Sequence, residues 1–270
     1  MTLKIYQVDA FTEKLFGGNP AAVVPLKKWL PDNVLQNIAA ENNLAETAYI
    51  VPTGGSSDFH LRWFTPSIEV RLCGHATLAT AHTLWQHLKF EKDILTFDSL
   101  SGILRVMREG DTYTLDFPCD ILSEGTPMDR GGHEVAETIE KVLKIKPLAI
   151  FKGKDDYMAV LPQQSDIENL KPDFSPLKNL DARGLIATAK GDTVDFVSRC
   201  FYPEAGIEED PATGSAHTTM TPYWAEKLGK TTLIAQQLSL RKGDLVCRLK
   251  GDRVFISGKA VTYLMGSINI

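Results

Sequence analysis

The sequence repeats itself once, and this duplication constrains the fold more than any other feature. Residues 58–66 and 195–203 both read D-F-x-x-R-x-F-x-P, at an offset of 137 positions. Gly74-His75-Ala76 recurs as Gly214-Ser215-Ala216 at an offset of 140 positions. Matches that stay in register over such distances indicate two copies of one unit, because a solenoid would need three or more shorter repeats.

Hydrophobic patterns predict that each copy is built from short strands around one buried helix. Residues 74–87 are small or apolar on nearly every side, which is typical of a buried helix, and residues 214–227 repeat the pattern. A further helix is predicted for residues 31–42. Strands are predicted at residues 5–8, 21–24, 47–51, 59–64, 94–97, 102–108 and 112–117.

These elements predict an α+β fold of two similar domains. The first spans residues 1–119, and the second spans residues 120–270 and begins with a connector near residues 120–147. The loops that join the two copies are expected to form a cleft, which is the usual place for a small ligand.

Charge and cysteine usage argue against several classes of function. The chain has 29 Lys and Arg against 34 Asp and Glu, a net charge of −5, which argues against nucleic acid or an anionic membrane as partner. It shows neither a secretory leader pattern nor a span of about 20 apolar residues. Its four widely spaced cysteines predict free thiols in the cytoplasm. It contains no nucleotide-binding or serine-hydrolase motif, so we expect no cofactor and no metal.

Six stretches resemble signatures of the PhzF-like phenazine-biosynthesis isomerases, in the family's order and over essentially the whole chain. They are residues 8–12, 16–24, 43–47, 64–66, 73–79 and 209–216. The resemblance implies a diaminopimelate-epimerase-like fold: two pseudo-symmetric domains, each a strongly curved, mostly antiparallel sheet around a central buried helix, with the active site between them. It also implies a homodimer and a cofactor-free isomerisation. The family's founding activity rearranges a dihydroxylated cyclohexadiene amino acid on the way to phenazines, and most members have no known substrate.

Glu46 is the candidate general base. It lies among small and apolar neighbours, where it is either an exposed acid at a strand edge or a buried acid that exchanges a proton. Burial disfavours its charged form and so favours proton transfer. The resemblance implies the second interpretation, because Glu46 matches the family's proton-shuttling glutamate. At the offset of 137 its repeat partner is Arg183, so the fold itself does not require an acid here.

His75 and Ser215 follow the glycines that open the two buried helices. Packing or helix capping is the simpler interpretation. In the functional interpretation, which we favour, the free N–H groups and the positive end of each helix dipole hold a substrate carboxylate. His75 could also exchange a proton near neutral pH. The predicted substrate-binding residues are Gly74, Ala76, Thr213, Gly214 and Ser215.

Asp210 is the third candidate catalytic residue. It matches the family's active-site aspartate, which implies that it holds His75 or a substrate amine through a charge-assisted hydrogen bond. The adjacent Glu208 and Glu209 are interpreted as solvated acids.

Cys73 argues against one alternative function. The resemblance relates the chain to racemases that use a thiol at this position in both copies. In this chain the second copy has Thr213 instead. A threonine hydroxyl is too weak an acid to replace a thiolate as a base. Cys73 is therefore expected to fill a small apolar space. His82 and His87 are expected to be satisfied or solvated rather than metal ligands.

Three functions remain open at this stage. The favoured one is a cytoplasmic, cofactor-free isomerase in which Glu46 moves a proton between carbons of a small carboxylate-bearing metabolite, positioned by His75, Asp210 and Ser215. The resemblance places this activity in a phenazine-biosynthesis-like process. An amino-acid racemase or epimerase would need an acid and a base on opposite faces of one carbon. A ligand-binding relative would keep the fold without turnover.

Overall fold

The computed structural model describes residues 1–122 and 133–270. Residues 123–132, which fall in the predicted connector, lie outside the described residues. No helix in the described part of the chain is long and apolar enough to cross a lipid bilayer.

The chain divides into two compact units. The first comprises Met1–Phe117 together with Phe255–Ile270, and the second comprises Pro118–Val254. The C-terminal residues therefore belong to the first unit and not to the second domain that was predicted from the sequence. The physical reason is that the last strand pairs with the first strand of the chain, from Thr2 opposite Asn269 to Ala10 opposite Ala260.

The first unit is a mostly antiparallel sheet with two helices. Its elements are β1 Thr2–Ala10, β2 Asn19–Pro25, α1 Asp32–Asn42, β3 Glu46–Pro52, β4 Phe59–Phe64, β5 Glu69–Val70, α2 Gly74–Gln86, β6 Ile94–Ser99, β7 Gly102–Glu109, β8 Thr112–Pro118 and β17 Ala260–Asn269. The pairs β2–β3 and β4–β6 are parallel. The pairs β1–β2, β1–β17, β3–β4, β4–β5, β6–β7 and β7–β8 are antiparallel.

The second unit repeats this arrangement. Its elements are α3 His133–Leu143, β9 Ala149–Lys152, β10 Asp156–Val160, α4 Gln164–Glu168, β11 Gly184–Lys190, β12 Phe196–Tyr202, β13 Ile207–Asp210, α5 Gly214–Leu228, β14 Thr232–Gln237, β15 Gly243–Lys250 and β16 Arg253–Gly258, the last of which continues into the first unit. The pairs β10–β11 and β12–β14 are parallel, as are their counterparts. The pairs β9–β10, β11–β12, β12–β13 and β14–β15 are antiparallel. The predicted fold of two similar α+β domains is confirmed.

A central helix is the core element of each unit. Every residue from Gly74 to Trp85 in α2 is buried, as predicted for a helix that is apolar on all sides, and α2 packs against β1, β2, β3 and β17. Helix α5 packs against β10, β14 and β15 and buries Gly214, Ala216 and Trp224 among others. Gly74 and Gly214 thus open equivalent helices.

Matching ion pairs show how closely the two units correspond. Arg62 on β4 donates two hydrogen bonds to Glu69, at 2.7 Å each. Arg199 on β12 binds Glu209 in the same two-pronged way, at 2.7 and 2.8 Å. Glu209 is therefore a structural ion-pair partner and not the solvated acid expected from the sequence, whereas Glu208 is exposed.

Candidate active site

Glu46 and His75 form a buried ion pair in the first unit. Glu46 is the first residue of β3, and His75 is the second residue of α2. Glu46 Oε2 lies 3.1 Å from His75 Nε2, and the side chains are 12% and 4% exposed. The alternative of an exposed acid at a strand edge is therefore wrong for Glu46.

The groups around His75 favour its charged form. Burial acts to lower the pKa of His75, but its interactions with Cys73 and with the Glu46 carboxylate raise that pKa well above its usual value. These interactions favour positive charge on His75 beside the Glu46 side chain.

Cys73 completes this cluster and does not occupy the apolar space that was expected for it. Its backbone is the N-cap of α2, and its Sγ lies 3.5 Å from His75 Nδ1. Burial, followed by the charge of Glu46, raises the pKa of the Cys73 thiol to about 11. The side chain is thus a neutral thiol at physiological pH, which makes it a proton donor and a poor nucleophile.

Asn19 is a site residue that the sequence analysis missed. It is the first residue of β2 and is fully buried, and its Nδ2 lies 3.1 Å from His75 Nδ1. Both ring nitrogens of His75 therefore have a polar neighbour, Asn19 at Nδ1 and Glu46 at Nε2. Asn19 lies within the signature stretch 16–24, but its place directly after Gly17-Gly18 was interpreted as part of a turn.

The start of α2 presents backbone N–H groups beside this cluster. Cys73 makes no side-chain cap, and the first N–H groups of a helix have no partner within it. Gly74 and Ala76, both predicted to bind substrate, lie in this first turn and are buried. A helix start of this kind favours an anion.

The second unit places the other predicted residues at the start of α5. Asp210, at the end of β13, is buried, and its Oδ2 accepts a hydrogen bond from the Thr213 hydroxyl at 2.5 Å. Thr213 is the N-cap of α5 and makes no side-chain cap. Gly214 is buried and Ser215 is half-buried in the first turn.

Gln237 is a second residue that the sequence analysis missed. Its Oε1 accepts the Thr213 N–H at 2.8 Å, and its Nε2 donates to the Asp210 carbonyl at 2.6 Å. The side chain of Gln237, on β14, therefore fixes the turn that leads into α5. A single amide far along the chain carries no pattern that would reveal this role.

The strand register corrects one detail of the repeat. Tyr49 lies opposite Arg62, and Ala187 lies opposite Arg199, so counting back along each strand makes Gly184 the counterpart of Glu46. The predicted partner, Arg183, is one position off because the spacing between the copies changes by one residue along these strands. The conclusion that the fold does not require an acid at this position is unchanged.

His82 and His87 lie at the other end of α2 and are satisfied. Their Nε2 atoms lie 2.8 and 2.7 Å from the Thr262 hydroxyl, and His82 Nδ1 lies 3.1 Å from the Tyr113 hydroxyl. Burial lowers the pKa of His82 to about 4. Both are structural residues within the first unit.

A duplicated α+β unit with a buried carboxylate–imidazole pair at a helix start defines a protein of the epimerase-like fold class. A hydroxyproline epimerase from Agrobacterium vitis shares this fold, with a TM-score of 0.64 over 99% of this chain and 92% of that chain, at only 8% sequence identity. That level of identity shows the fold alone.

The chain belongs to the phenazine biosynthesis-like (PhzC-PhzF) family, whose model matches residues 8–266. A protein named as an uncharacterized isomerase from Pseudomonas aeruginosa is 48% identical over 271 residues, covering 100% of both chains. The crystal structure of a PhzF-family phenazine biosynthesis protein from Enterococcus faecalis has a TM-score of 0.93 and 46% identity, again over 100% of both chains.

Proposed function

We propose that this protein is an isomerase that moves a proton between two carbons of a small carboxylate-bearing metabolite, with Glu46 taking up and returning the proton. The observation that carries the proposal is the buried Glu46–His75 pair at 3.1 Å. Full-length relatives that are named isomerases support the same class of reaction.

The proposed step begins when the Glu46 carboxylate removes a proton from a substrate carbon. The C–H bond breaks and its electron pair passes into the conjugated double bonds of the substrate. The proton then resides on a Glu46 oxygen. A new C–H bond then forms at another carbon as Glu46 returns the proton. Only protons move, so the balance requires no oxidant, reductant or cofactor.

His75 has a positioning and electrostatic role in this scheme. Its positive charge pairs with the carboxylate form of Glu46. When Glu46 becomes neutral by accepting a proton, the same charge is left to offset the negative charge that develops on the substrate. Fixed charges aimed at a developing charge are the largest contributions to many enzymatic rates.

The helix starts are assigned to substrate carboxylate binding. Gly74 and Ala76 supply N–H groups beside Glu46, and Thr213, Gly214 and Ser215 form the equivalent helix start in the second unit. Asp210, which already fixes the Thr213 hydroxyl, is assigned to hold a substrate amine.

A two-thiol racemase is less well supported. Cys73 and Thr213 are the N-caps of the two equivalent helices, so the second unit has a hydroxyl where a second thiol would be needed. The proposal also takes from the family resemblance a homodimer that acts in the cytoplasm in a biosynthetic process. Analytical ultracentrifugation at several protein concentrations tests the dimer.

A screen in heavy water tests the proposed reaction. Purified protein is incubated with a panel of small unsaturated and amino carboxylates in D₂O, and products are analysed by mass spectrometry and NMR. We expect one class of carboxylate to isomerise, with deuterium at the carbon that receives the proton wherever the proton on Glu46 exchanges with solvent. Tight binding of panel members without any conversion would favour the non-catalytic alternative.

A further inference from the structure

A buried tyrosine covers the strand position in the second unit that is equivalent to Glu46. Gly184 on β11 is the counterpart of Glu46, and it lies opposite Tyr202 on β12 because Leu185 lies opposite Phe201. A Cβ added to Gly184 would lie only 2.2 Å from Cδ1 of the Tyr202 ring. The ring therefore occupies the space in which β11 would otherwise carry a side chain.

The hydroxyl of this tyrosine is buried without a partner. Tyr202 is 6% exposed, and among the described residues no group forms a hydrogen bond with its Oη atom. Burial, followed by the charge of Asp156, raises the pKa of Tyr202 well above its usual value, so the hydroxyl keeps its proton and is a donor. A buried donor without an acceptor destabilises a folded protein, so such a group is expected to meet a ligand or a water.

The nearest acid is engaged elsewhere. Both carboxylate oxygens of Asp156 accept hydrogen bonds from the Arg183 guanidinium, with 2.9 Å between Nε and Oδ1. The guanidinium carbon of Arg183 also lies 4.9 Å from the centre of the Tyr202 ring. The ring thus packs against both Gly184 and Arg183, which limits the directions that its hydroxyl can take.

The hydroxyl lies close to the start of α5. Burial raises the pKa of the Cys200 thiol, and the nearby hydroxyls of Thr213 and Tyr202 act to lower it. The Cys200 sulfur therefore lies beside both hydroxyls. Thr213 is the N-cap of α5 and makes no side-chain cap, and the N–H groups of a helix start favour an anion. The unpartnered Tyr202 hydroxyl adds a side-chain donor to this helix start.

We propose that the Tyr202 hydroxyl donates a hydrogen bond to a carboxylate oxygen of the substrate at the start of α5, which makes Tyr202 a residue that determines specificity. This inference rests on the proposed function, which assigns the start of α5 to substrate carboxylate binding. Glu46 Oε2 is enclosed as fully as Tyr202 Oη. The same strand position thus supplies an acid that carries a proton in one copy and is covered by a fixed donor in the other.

The substitution Tyr202→Phe removes only the hydroxyl and keeps the ring over Gly184. Because the hydroxyl has no partner in the free protein, the urea midpoint of unfolding should stay at the wild-type value or rise. The matched control is Tyr49→Phe, since the buried Tyr49 hydroxyl donates to the Leu35 carbonyl at 2.7 Å, and its midpoint should fall. A fall in Tyr202→Phe as large as that in Tyr49→Phe would show a structural hydrogen bond and would overturn the inference.

Kinetics test the contact with the substrate. On a carboxylate identified in the heavy-water screen, Tyr202→Phe should raise KM and the calorimetric Kd about 10- to 100-fold with little change in kcat, as for the loss of a hydrogen bond to a charged group. Tyr223→Phe, which alters a half-buried tyrosine on α5, should keep the wild-type values.

Two failures can be told apart by these variants. Wild-type KM, Kd and kcat in Tyr202→Phe would overturn the role of Tyr202 and leave Glu46 as the proposed proton carrier. Full activity of Glu46→Gln would instead refute the proposed function, and a raised Kd in Tyr202→Phe would still show the contact.

Discussion

Glu46 Oε2 and His75 Nε2 lie 3.1 Å apart, with 12% and 4% of their side chains exposed. The two residues come from different elements, the start of β3 and the first turn of α2. The contact therefore links the sheet of the first unit to its central helix.

The pair makes stability depend on pH in a defined direction. The folded-state pKa of His75 is raised above 6.5. The stabilisation that the charged His75 gives the folded protein is therefore fully present below about pH 6.5, and it is lost as the pH rises through the folded-state pKa. We expect the free energy of unfolding to fall as the pH rises from about 6.5 toward the folded-state pKa of His75, and to fall less in Glu46→Gln.

Urea unfolding of both proteins across this range measures the difference. His60→Gln, which alters a half-buried histidine paired with Asp98, serves as the control. Equal slopes in wild type and Glu46→Gln would show that Glu46 does not hold the charge on His75.

Cys73 should react slowly with alkylating agents. Its pKa of about 11 leaves little thiolate near pH 7.5, and its side chain is buried. Cys119, which is partly exposed, should be modified first by iodoacetamide, as peptide mass spectrometry can show. Modification of Cys73 before Cys119 in the folded protein would contradict this description.

Gly18 should tolerate no side chain. Its φ is +56°, and a Cβ there would clash with the carbonyl oxygen of Ala10. Gly102 is a matched control, because its φ is +87° but a Cβ added there would meet no atom within 4 Å. Gly102→Ala should lower the free energy of unfolding by about 1–2 kcal/mol, from backbone strain alone.

Gly18→Ala should lower the free energy of unfolding clearly more than Gly102→Ala does. It should also displace Asn19, the next residue, from His75. Chemical denaturation compares the two costs, and the ¹⁵N shifts of the His75 ring report the second effect. Equal destabilisation by both substitutions would mean that the close approach to Ala10 is unimportant.

The repeated ion pairs should contribute similarly in the two units. Arg62→Lys and Arg199→Lys remove the two-pronged bond to Glu69 or Glu209, and each should destabilise the protein by about 1–3 kcal/mol. Arg108→Lys is the control, because the partner of Arg108, Asp93, is 76% exposed. This substitution should lower the free energy of unfolding by less than about 1 kcal/mol. A cost confined to one of the first two variants would argue against equivalent roles.

The sequence predicted those features of the fold that leave local patterns. The buried helix from Gly74 is small or apolar on nearly every side, and its copy from Gly214 begins in the same way, so both helices could be predicted. The pairing of Thr2 with Asn269 could not be predicted, because contacts between the two ends of a chain leave no local pattern. The shift between Arg183 and Gly184 was missed for a related reason: only the strand register reveals it.

The candidate site was predicted in part. Glu46, His75 and Asp210 could be named because they stand within recognisable motifs. Asn19 also lies within such a motif, residues 16–24, but was interpreted as part of a turn, and Gln237 lies in none. The roles of both residues rest on side-chain amide hydrogen bonds made across long sequence separations. Cys73 was misjudged because its polar neighbours, His75 and Glu46, converge on it only in the folded chain.

The substitution Glu46→Gln tests the central claim most directly, because glutamine keeps nearly the same shape but can neither accept nor return the proton. Turnover of a substrate from the heavy-water screen is compared among wild type, Glu46→Gln and the control Glu41→Gln, which alters an exposed acid on α1. Glu46→Gln should fold, bind the substrate and lose about 10²- to 10⁴-fold in rate, while Glu41→Gln stays at the wild-type rate. A Glu46→Gln rate above about a tenth of wild type, well outside that expected loss, would show that Glu46 is not the proton carrier.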